Sequence, residues 1–260
     1  MMLPVNQVEF TGEIADLSFG QVVLPEEKIC VRGLVSIVIP ALNERNTIEA
    51  LIGRVEQVPL AKEIIVVDDG STDGTREIIA RLSREQRVRA IFLIRNHGKG
   101  MAFRLGLERA CGEVTIIQDA DLEYNPAEIP RVVAPILSGA ADVCYGSRIR
   151  GKNPGRSSFS FYWGGRLLSW VTTLLYGVHV TDEAAGYKAF RTELLRRIPL
   201  QSESFNLEPE MTAKVFRRGL RYTEVPVSYH PRKISDGKKI KWVDGLQALW
   251  TLFVWRFSSF

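Results

Sequence analysis

From Val35 onward the chain alternates two kinds of apolar pattern. Short continuous apolar runs are followed by segments in which apolar residues recur every three or four positions. Val35-Ser36-Ile37-Val38-Ile39 is a β-branched run closed by Pro40, which predicts a buried strand. Ile48, Leu51, Ile52 and Val55 then share one helical face, with Asn46 placed to cap the helix and Glu49 three positions on, a variant capping box. The unit repeats. Ile64-Ile65-Val66-Val67 predicts a second strand, before a helix carrying Ile78, Ile79 and Leu82. A third strand is expected over residues 90–94, a helix over residues 100–110, and a fourth strand at Val114-Thr115-Ile116-Ile117. Asn125 and Pro126 supply the cap and first position of the next helix, and Val143 lies in a fifth strand ending near Gly146. Strands without polar alternation, interleaved with helices, specify an α/β fold: a Rossmann-like, mostly parallel sheet with helices on both faces. Ligands in such sheets bind beyond the carboxyl ends of the strands, where the polar clusters of this chain fall.

The second half reads differently. Residues 159–180 are aromatic and apolar but broken by Gly164, Gly165 and Arg166. A helix is expected over residues 205–218, an alternating strand over 222–229 and a helix rich in Trp, Leu and Phe over 242–257. Residues 1–34 lack a clear period and read as an N-terminal extension with room for a short hairpin; residues 35–260 read as one domain, with no linker, repeat or low-complexity tract. Cys30, Cys111 and Cys144 fit no disulfide framework or zinc pattern, which suits reduced thiols and a cytoplasmic location. The net charge of +4 is too small to make nucleic acid a partner. No stretch reaches the roughly 18 consecutive apolar residues of a spanning helix. Lys238, Lys239 and Lys241 precede Trp242, Leu246, Leu249, Trp250, Leu252, Phe253, Val254, Trp255 and Phe257, a basic-aromatic mixture that suits a membrane interface. A core-facing or subunit-facing helix is the competing reading.

Four clusters carry candidate chemistry. Asp68-Asp69-Gly70-Ser71-Thr72-Asp73 directly follows a strand. Asp69 is placed to accept hydrogen bonds from a nucleobase, whereas Asp73 reads as a cap for the next helix. In Asp119-Ala120-Asp121-Leu122-Glu123, alternate residues of an extended chain point one way, so three carboxylates would converge and repel unless a cation lay between them. Oxygen-only ligands suit Mg²⁺ or Mn²⁺. In Arg95-Asn96-His97-Gly98-Lys99-Gly100, a helix N-terminus with glycines suits phosphate, and a glycine turn with a solvated Lys99 fits equally well; His97 reads as a turn residue. The last cluster is basic: Arg148, Arg166 and Arg232. Arg166 resists reading as a surface ion-pair partner, because an unpaired charge among apolar residues is costly. The planar guanidinium fork suits phosphate.

In this order, Val35 to Glu44, the Asp-Asp-Gly-Ser-Thr-Asp run, Gly98-Lys99-Gly100 and Asp119-Ala120-Asp121 resemble an inverting family 2 glycosyltransferase of the GT-A fold. Gly146-Ser147-Arg148, Thr181-Asp182 through Gly186-Tyr187-Lys188-Ala189-Phe190, and Glu224-Val225-Pro226-Val227 are similar to the dolichol-phosphate mannose synthase branch and its bacterial polyprenyl-phosphate relatives. The resemblance spans about residues 35–250.

It implies transfer of a hexose from a nucleoside diphosphate sugar, of the GDP-mannose or UDP-glucose type, to a polyprenyl or dolichyl phosphate. Pro40, Ala41, Glu44, Asp69, Lys99, Asp119 and Ala120 would line the nucleotide pocket. Asp119, Asp121 and Glu123 would hold Mg²⁺ or Mn²⁺; Arg148, Arg166 and Arg232 would grip the acceptor phosphate. Asp121, Arg232 and Asp182 would stand at the reacting centre. Many relatives carry C-terminal transmembrane helices and this chain shows none, so contact with the cytoplasmic face of the membrane would rest on interfacial helices. A phosphate monoester is largely ionised at neutral pH, so it needs positioning by arginines and no general base. The alternatives are a family 2 enzyme with a soluble or polysaccharide acceptor, which would need a carboxylate base, and a non-catalytic nucleotide-binding module.

Overall fold

The structure is a computed structural model and describes residues 8–10, 13–15, 30–151, 159–204, 206–232 and 242–260. Along the chain run β1 (Val8–Phe10), β2 (Glu13–Ala15), β3 (Val31–Ala41), α1 (Ile48–Glu56), β4 (Lys62–Asp68), α2 (Thr75–Arg84), β5 (Arg89–Leu93), α3 (Lys99–Arg109) and β6 (Gly112–Ile117). Then follow a 3-10 turn (Pro126–Glu128), α4 (Ile129–Leu137), β7 (Val143–Ser147), α5 (Phe159–Tyr176), β8 (Lys188–Arg191), α6 (Thr192–Arg196), α7 (Leu207–Arg217), β9 (Tyr222–Pro226) and α8 (Trp242–Phe257).

These strands make one sheet in the order β2-β1-β5-β4-β3-β6-β8-β7-β9. β5-β4-β3-β6 and β7-β9 pair in parallel. The chain order reverses at β3 and β6, the position where such sheets open a crevice for ligands. β8 runs antiparallel between β6 and β7, a strand the sequence pattern does not announce. It has four residues and opens with Lys188, which is fully buried because its ammonium donates to the Glu183 carbonyl at 2.6 Å. The β1-β2 hairpin pairs antiparallel on the β5 edge.

Both faces of the central strands are covered. Val35, Ile37 and Ile39 of β3 pack with Leu51 of α1, Leu82 of α2 and Val133 of α4. On the other face Val38 and Ile117 pack with Phe103 of α3, Leu195 of α6 and Met211 of α7. Each fully buried Ile, Leu or Phe contributes about 1.5–3 kcal/mol, so this two-sided core fixes the register of the strands.

The expected Asn46 cap is not formed. α1 starts one residue later, after Thr47, and the N–H groups of Thr47 and Ile48 donate to the Glu44 carbonyl instead. Glu49 pairs with Arg81 at 2.7 Å.

α5 and α8 lie outside this body, against α7, through Leu168, Ala213, Ala248 and Leu252. Each has a second, open face. Trp163, Leu167, Trp170 and Leu174 of α5, and Val243, Leu246, Trp250, Phe253 and Phe257 of α8, are exposed; Trp170 is 62% exposed and Trp250 66%. The sequence offered lipid or protein as the partner of residues 242–257, and the helix divides them by face. Trp255 turns inward, with the Lys214 ammonium 3.5 Å from its ring centre. Lys238, Lys239 and Lys241 lie outside the described residues. Among the described residues, no helix is long and apolar enough to cross a membrane.

Candidate active site

The strand ends enclose a cavity of about 480 Å³. It gathers Pro40, Ala41 and Glu44 after β3, Asp69 after β4, Lys99 at the start of α3, Asp119, Ala120, Asp121 and Glu123 after β6, Arg148 after β7 and Arg232 after β9. Leu168 of α5 and Asp244, Gly245 and Ala248 of α8 complete the wall. The two outer helices are therefore part of the site.

Several expected roles change once the geometry is seen. Asp69 is buried, and its two oxygens accept from the backbone N–H groups of His97 and Gly98 at 2.7 and 2.8 Å, so it shapes the loop before α3. That loop does not cradle an anion with the start of α3. The N–H of Gly100 donates to the Glu203 carbonyl at 2.8 Å, and a Cβ on Gly98 would meet that same oxygen at 2.2 Å. The glycines admit the backbone of residues 202–204. His97 contributes a backbone N–H, as a turn residue does. Asp73 does not cap α2: the cap position is Gly74, with no side-chain cap bond, and Asp73 accepts from the Thr75 N–H at 3.0 Å from the turn before it.

Beyond Asp119 the chain does not stay extended, so the alternation argument for three converging carboxylates fails. Leu122 takes a left-handed φ of 62°, and the Glu123 N–H donates to the Asp121 carboxylate at 3.1 Å, closing a tight turn. Glu123 then accepts from the Tyr229 hydroxyl and the Arg232 N–H, both at 2.7 Å, and anchors the segment after β9. Asp119 and Asp121 remain as the carboxylate pair. Burial first, and then the charges of Asp119 and Glu123, push the Asp121 carboxyl up to about 7. Lys99 stands 2.6 Å from both Asp119 and Glu208. Burial alone would lower its pKa, but those two charges hold it above the ordinary lysine value.

Arg148 is clamped. Its Nε and Nη2 donate to the two oxygens of Asp182 at 2.8 and 2.7 Å, its backbone N–H adds a third bond at 2.8 Å, and its guanidinium stacks on Tyr229 at 4.9 Å. Nη1 makes no hydrogen bond among the described residues. Asp182 is 2% exposed and lies behind Arg148, away from the cavity lining. Arg232 donates Nη2 to Glu44 at 2.8 Å and Nε to the Asp121 carbonyl at 2.7 Å, tying the ends of β3, β6 and β9 together. Arg166 does not line the cavity. It is exposed on the outer face of α5, so the cost of burying a charge does not arise there.

Residues 36–198 match the model of the glycosyl transferase family 2. The chain belongs to this family. It is 31% identical over 213 residues to the undecaprenyl-phosphate mannosyltransferase of Micrococcus luteus, covering 77% of this chain and 85% of that one. It is 30% identical over 214 residues to the polyprenol monophosphomannose synthase of Mycolicibacterium smegmatis, covering 78% and 79%. Among solved structures, glucosyl-3-phosphoglycerate synthase from Mycobacterium tuberculosis, in complex with Mn²⁺, UDP and glucosyl-3-phosphoglycerate, superposes with a TM-score of 0.66 at 24% identity, covering 85% of this chain and 79% of that one. The protein is a glycosyltransferase with the expected mostly parallel α/β architecture of the GT-A type.

For a glycosyltransferase, the arrangement interleaves charges within one cavity: Lys99 bridges Asp119 and Glu208, Arg232 lies beside Asp121, and Arg148 stands on Asp182. Among the described residues no group of three or more metal-ligating side chains is present; the carboxylate pair of Asp119 and Asp121, with ionisation of Asp121 disfavoured by burial and neighbouring charges, is what could hold a hard divalent cation. Mg²⁺ typically takes one or two carboxylates plus substrate phosphates, which matches Asp119 and Asp121 without Glu123. Sequence reasoning missed Glu208, Glu183, Tyr124 and Tyr229, all in the cavity wall. Glu208 sits in the first turn of α7, where an acidic residue is ordinary, so nothing in the sequence marked it. Gly186 was seen only as part of a motif. A Cβ there would meet the Asp119 carboxylate at 2.4 Å.

Proposed function

We propose that this family 2 glycosyltransferase transfers a hexose from a nucleoside diphosphate sugar to the phosphate of a polyprenol, with inversion at the anomeric carbon, at a membrane surface. The observation that carries the reading is the shared wall. The cavity holding Asp119, Asp121, Arg148 and Arg232 is closed by Leu168 and Ala248, and these belong to the two helices whose outer faces expose Trp163, Trp170, Trp250 and Phe253. An anion-binding site thus adjoins an apolar surface rich in Trp, the combination that a lipid phosphate requires. The names of the relatives from Micrococcus luteus and Mycolicibacterium smegmatis support a polyprenyl acceptor.

In this reading Arg148, held rigid by Asp182, presents its Nη1 edge to the acceptor phosphate. The phosphate is already ionised, so its oxygen attacks the anomeric carbon without a base while the bond to the donor phosphate breaks. Glu44 fixes the Arg232 guanidinium near Asp121, where it offsets charge on the departing nucleoside diphosphate. Asp119 and Asp121 would hold Mg²⁺ or Mn²⁺, which when bound supplies Lewis-acid stabilisation of the diphosphate. Pro40, Ala41, Glu44 and the loop shaped by Asp69 would line the nucleotide. α5 and α8 would lie on the cytoplasmic face of the membrane.

The test uses the purified protein with GDP-mannose or UDP-glucose and Mn²⁺, offering undecaprenyl phosphate in liposomes or 3-phosphoglycerate in solution. Lipid-linked sugar is expected, abolished by EDTA and by Asp121→Asn. Efficient transfer to the soluble acceptor with none to the lipid overturns the assignment.

A further inference from the structure

Glu183 is the one buried carboxylate in the described structure with an oxygen that has no partner. It is 1% exposed, lines the cavity, and follows Asp182 directly. Its backbone is fully used: the N–H donates to Ser169 Oγ at 3.0 Å and the carbonyl accepts from Lys188 Nζ at 2.6 Å. Oε1 accepts from Thr212 Oγ1 at 3.1 Å and stands 3.8 Å from Lys188 Nζ. Oε2 has neither. A buried acceptor left without a donor costs about 1–3 kcal/mol, and buried polar groups in folded proteins are nearly always paired. Oε2 is enclosed in this structure but belongs to a residue of the cavity wall, so a small shift of that wall brings it within reach of a ligand's donor.

The position of Glu183 identifies the part of the ligand. Its chain neighbour Asp182 holds Arg148, the arginine assigned to the acceptor phosphate. Three residues on, Gly186 packs against the Asp119 carboxylate on the donor-diphosphate side. A group transferred from the diphosphate to the acceptor phosphate must pass between those two points. Charge identifies the donor's chemistry. Lys188, fully buried, already compensates the Glu183 carboxylate, so an ammonium arriving from the ligand would add an unbalanced charge in a dry site, whereas a neutral hydroxyl would not. Thr212, which also hydrogen-bonds Tyr145, and Lys188 together hold the carboxylate in place.

We propose that Glu183 Oε2 accepts a hydrogen bond from a hydroxyl of the transferred hexose and selects the donor sugar. The proposal rests on the reading of the cavity as a nucleotide-sugar site. It assigns Glu183 to binding and not to proton transfer.

The test compares sugar-bearing and sugar-free nucleotides in one protein. Wild type and Glu183→Gln are titrated with GDP-mannose and GDP, and with UDP-glucose and UDP, in the presence of Mn²⁺. The amide keeps the shape of the side chain, and its one oxygen can still accept from Thr212 while the NH₂ group takes the place of Oε2. The preference of the wild-type protein for the nucleotide sugar over the bare nucleotide should shrink about 10- to 100-fold, the range of one hydrogen bond to a charged group, while affinity for the bare nucleotide stays within threefold. The bare-nucleotide titration also counts the folded, competent fraction, so a poorly folding variant does not imitate the effect. Deoxy analogues of the better donor then locate the hydroxyl: one of them should bind wild type and Glu183→Gln equally, because the contact is already gone. An unchanged ratio in Glu183→Gln, or equal loss for sugar-bearing and bare nucleotides, overturns the proposal. Failure of the wild-type protein to bind any nucleotide sugar would sink the functional reading itself, which is a distinguishable result.

Discussion

Replacing Asp182 with Asn separates a residue that touches substrate from one that holds an arginine. The Asp182 carboxylate receives three hydrogen bonds from Arg148, two of them from the guanidinium. Its pKa is set by two opposed effects: burial raises it, and the Arg148 charge and hydrogen bonds overcome burial and hold it below the ordinary value. Asn keeps one acceptor, which can still serve the backbone N–H and Nε, but turns an NH₂ group toward Nη2 and removes the charge. Breaking a buried ion pair by altering one partner costs about 3–5 kcal/mol, and the lower figure applies because the Arg148 side chain is 21% exposed. For a chain of this size about 3 kcal/mol lowers Tm by about 6–12 °C. Transfer assays on the same variant should show KM for polyprenyl phosphate raised about tenfold or more, with Kd for GDP or UDP within about twofold, since a loosened Arg148 affects the acceptor and not the nucleotide. The Asp182 pKa adds a sign. A depressed folded pKa stabilises the protein above the unfolded value and is lost as pH falls through the folded one. Asp182→Asn should therefore flatten acid unfolding below about pH 4. A variant with wild-type Tm and wild-type acceptor KM but weakened nucleotide-sugar binding would show that Asp182 contacts the sugar, and the positioning argument would be wrong.

The raised Asp121 pKa of about 7 means the metal-free protein keeps that proton between about pH 4 and 7, so a cation must displace it. Mn²⁺ affinity should fall up to tenfold per pH unit below 7, with proton release seen by calorimetry at pH 6 in buffers of different ionisation enthalpy; an affinity flat from pH 6 to 8 refutes this. The same shift makes Asp121 a cost to the metal-free fold that grows as pH rises through that window, so Asp121→Asn should raise Tm at pH 7 in EDTA. Trp170→Ser and Trp250→Ser, both at exposed positions, should leave Tm nearly unchanged and weaken the salt-resistant part of liposome binding. Arg166→Ala should weaken only the salt-sensitive part, about fivefold at low salt, without altering nucleotide affinity; loss of transfer to a short-chain acceptor in detergent would return Arg166 to the acceptor site.

The sequence by itself determined the class of the fold. Continuous β-branched runs such as residues 35–39 and 64–67 have no polar side to offer water, so they demand cover on both faces, and the helices between them supply it. It also placed the polar clusters at strand ends, where Asp69, Asp119 and Arg148 indeed meet in one cavity. These are local properties: periodicity and position relative to a strand are written in consecutive residues. What those side chains bond to was decided by tertiary structure, because their partners lie far away in the chain. Asp69 meets the backbone of residues 97 and 98, Arg148 meets Asp182, and Glu44 meets Arg232, across 28, 34 and 188 positions respectively. Glu123 left the expected carboxylate trio because Leu122 adopts a left-handed conformation that breaks strand alternation, and Tyr229 and Arg232 then claim its oxygens. Lys188, of a residue type seldom fully buried, is buried here with the Glu183 carbonyl and the Thr212 hydroxyl as its partners. α8 carries aromatic residues all around, so its pattern cannot tell lipid from protein. Only its packing on α5 and α7 assigns Leu252 and Trp255 to the interior and Trp250 and Phe253 to the outside, since burying one face of a helix leaves the opposite face for something else.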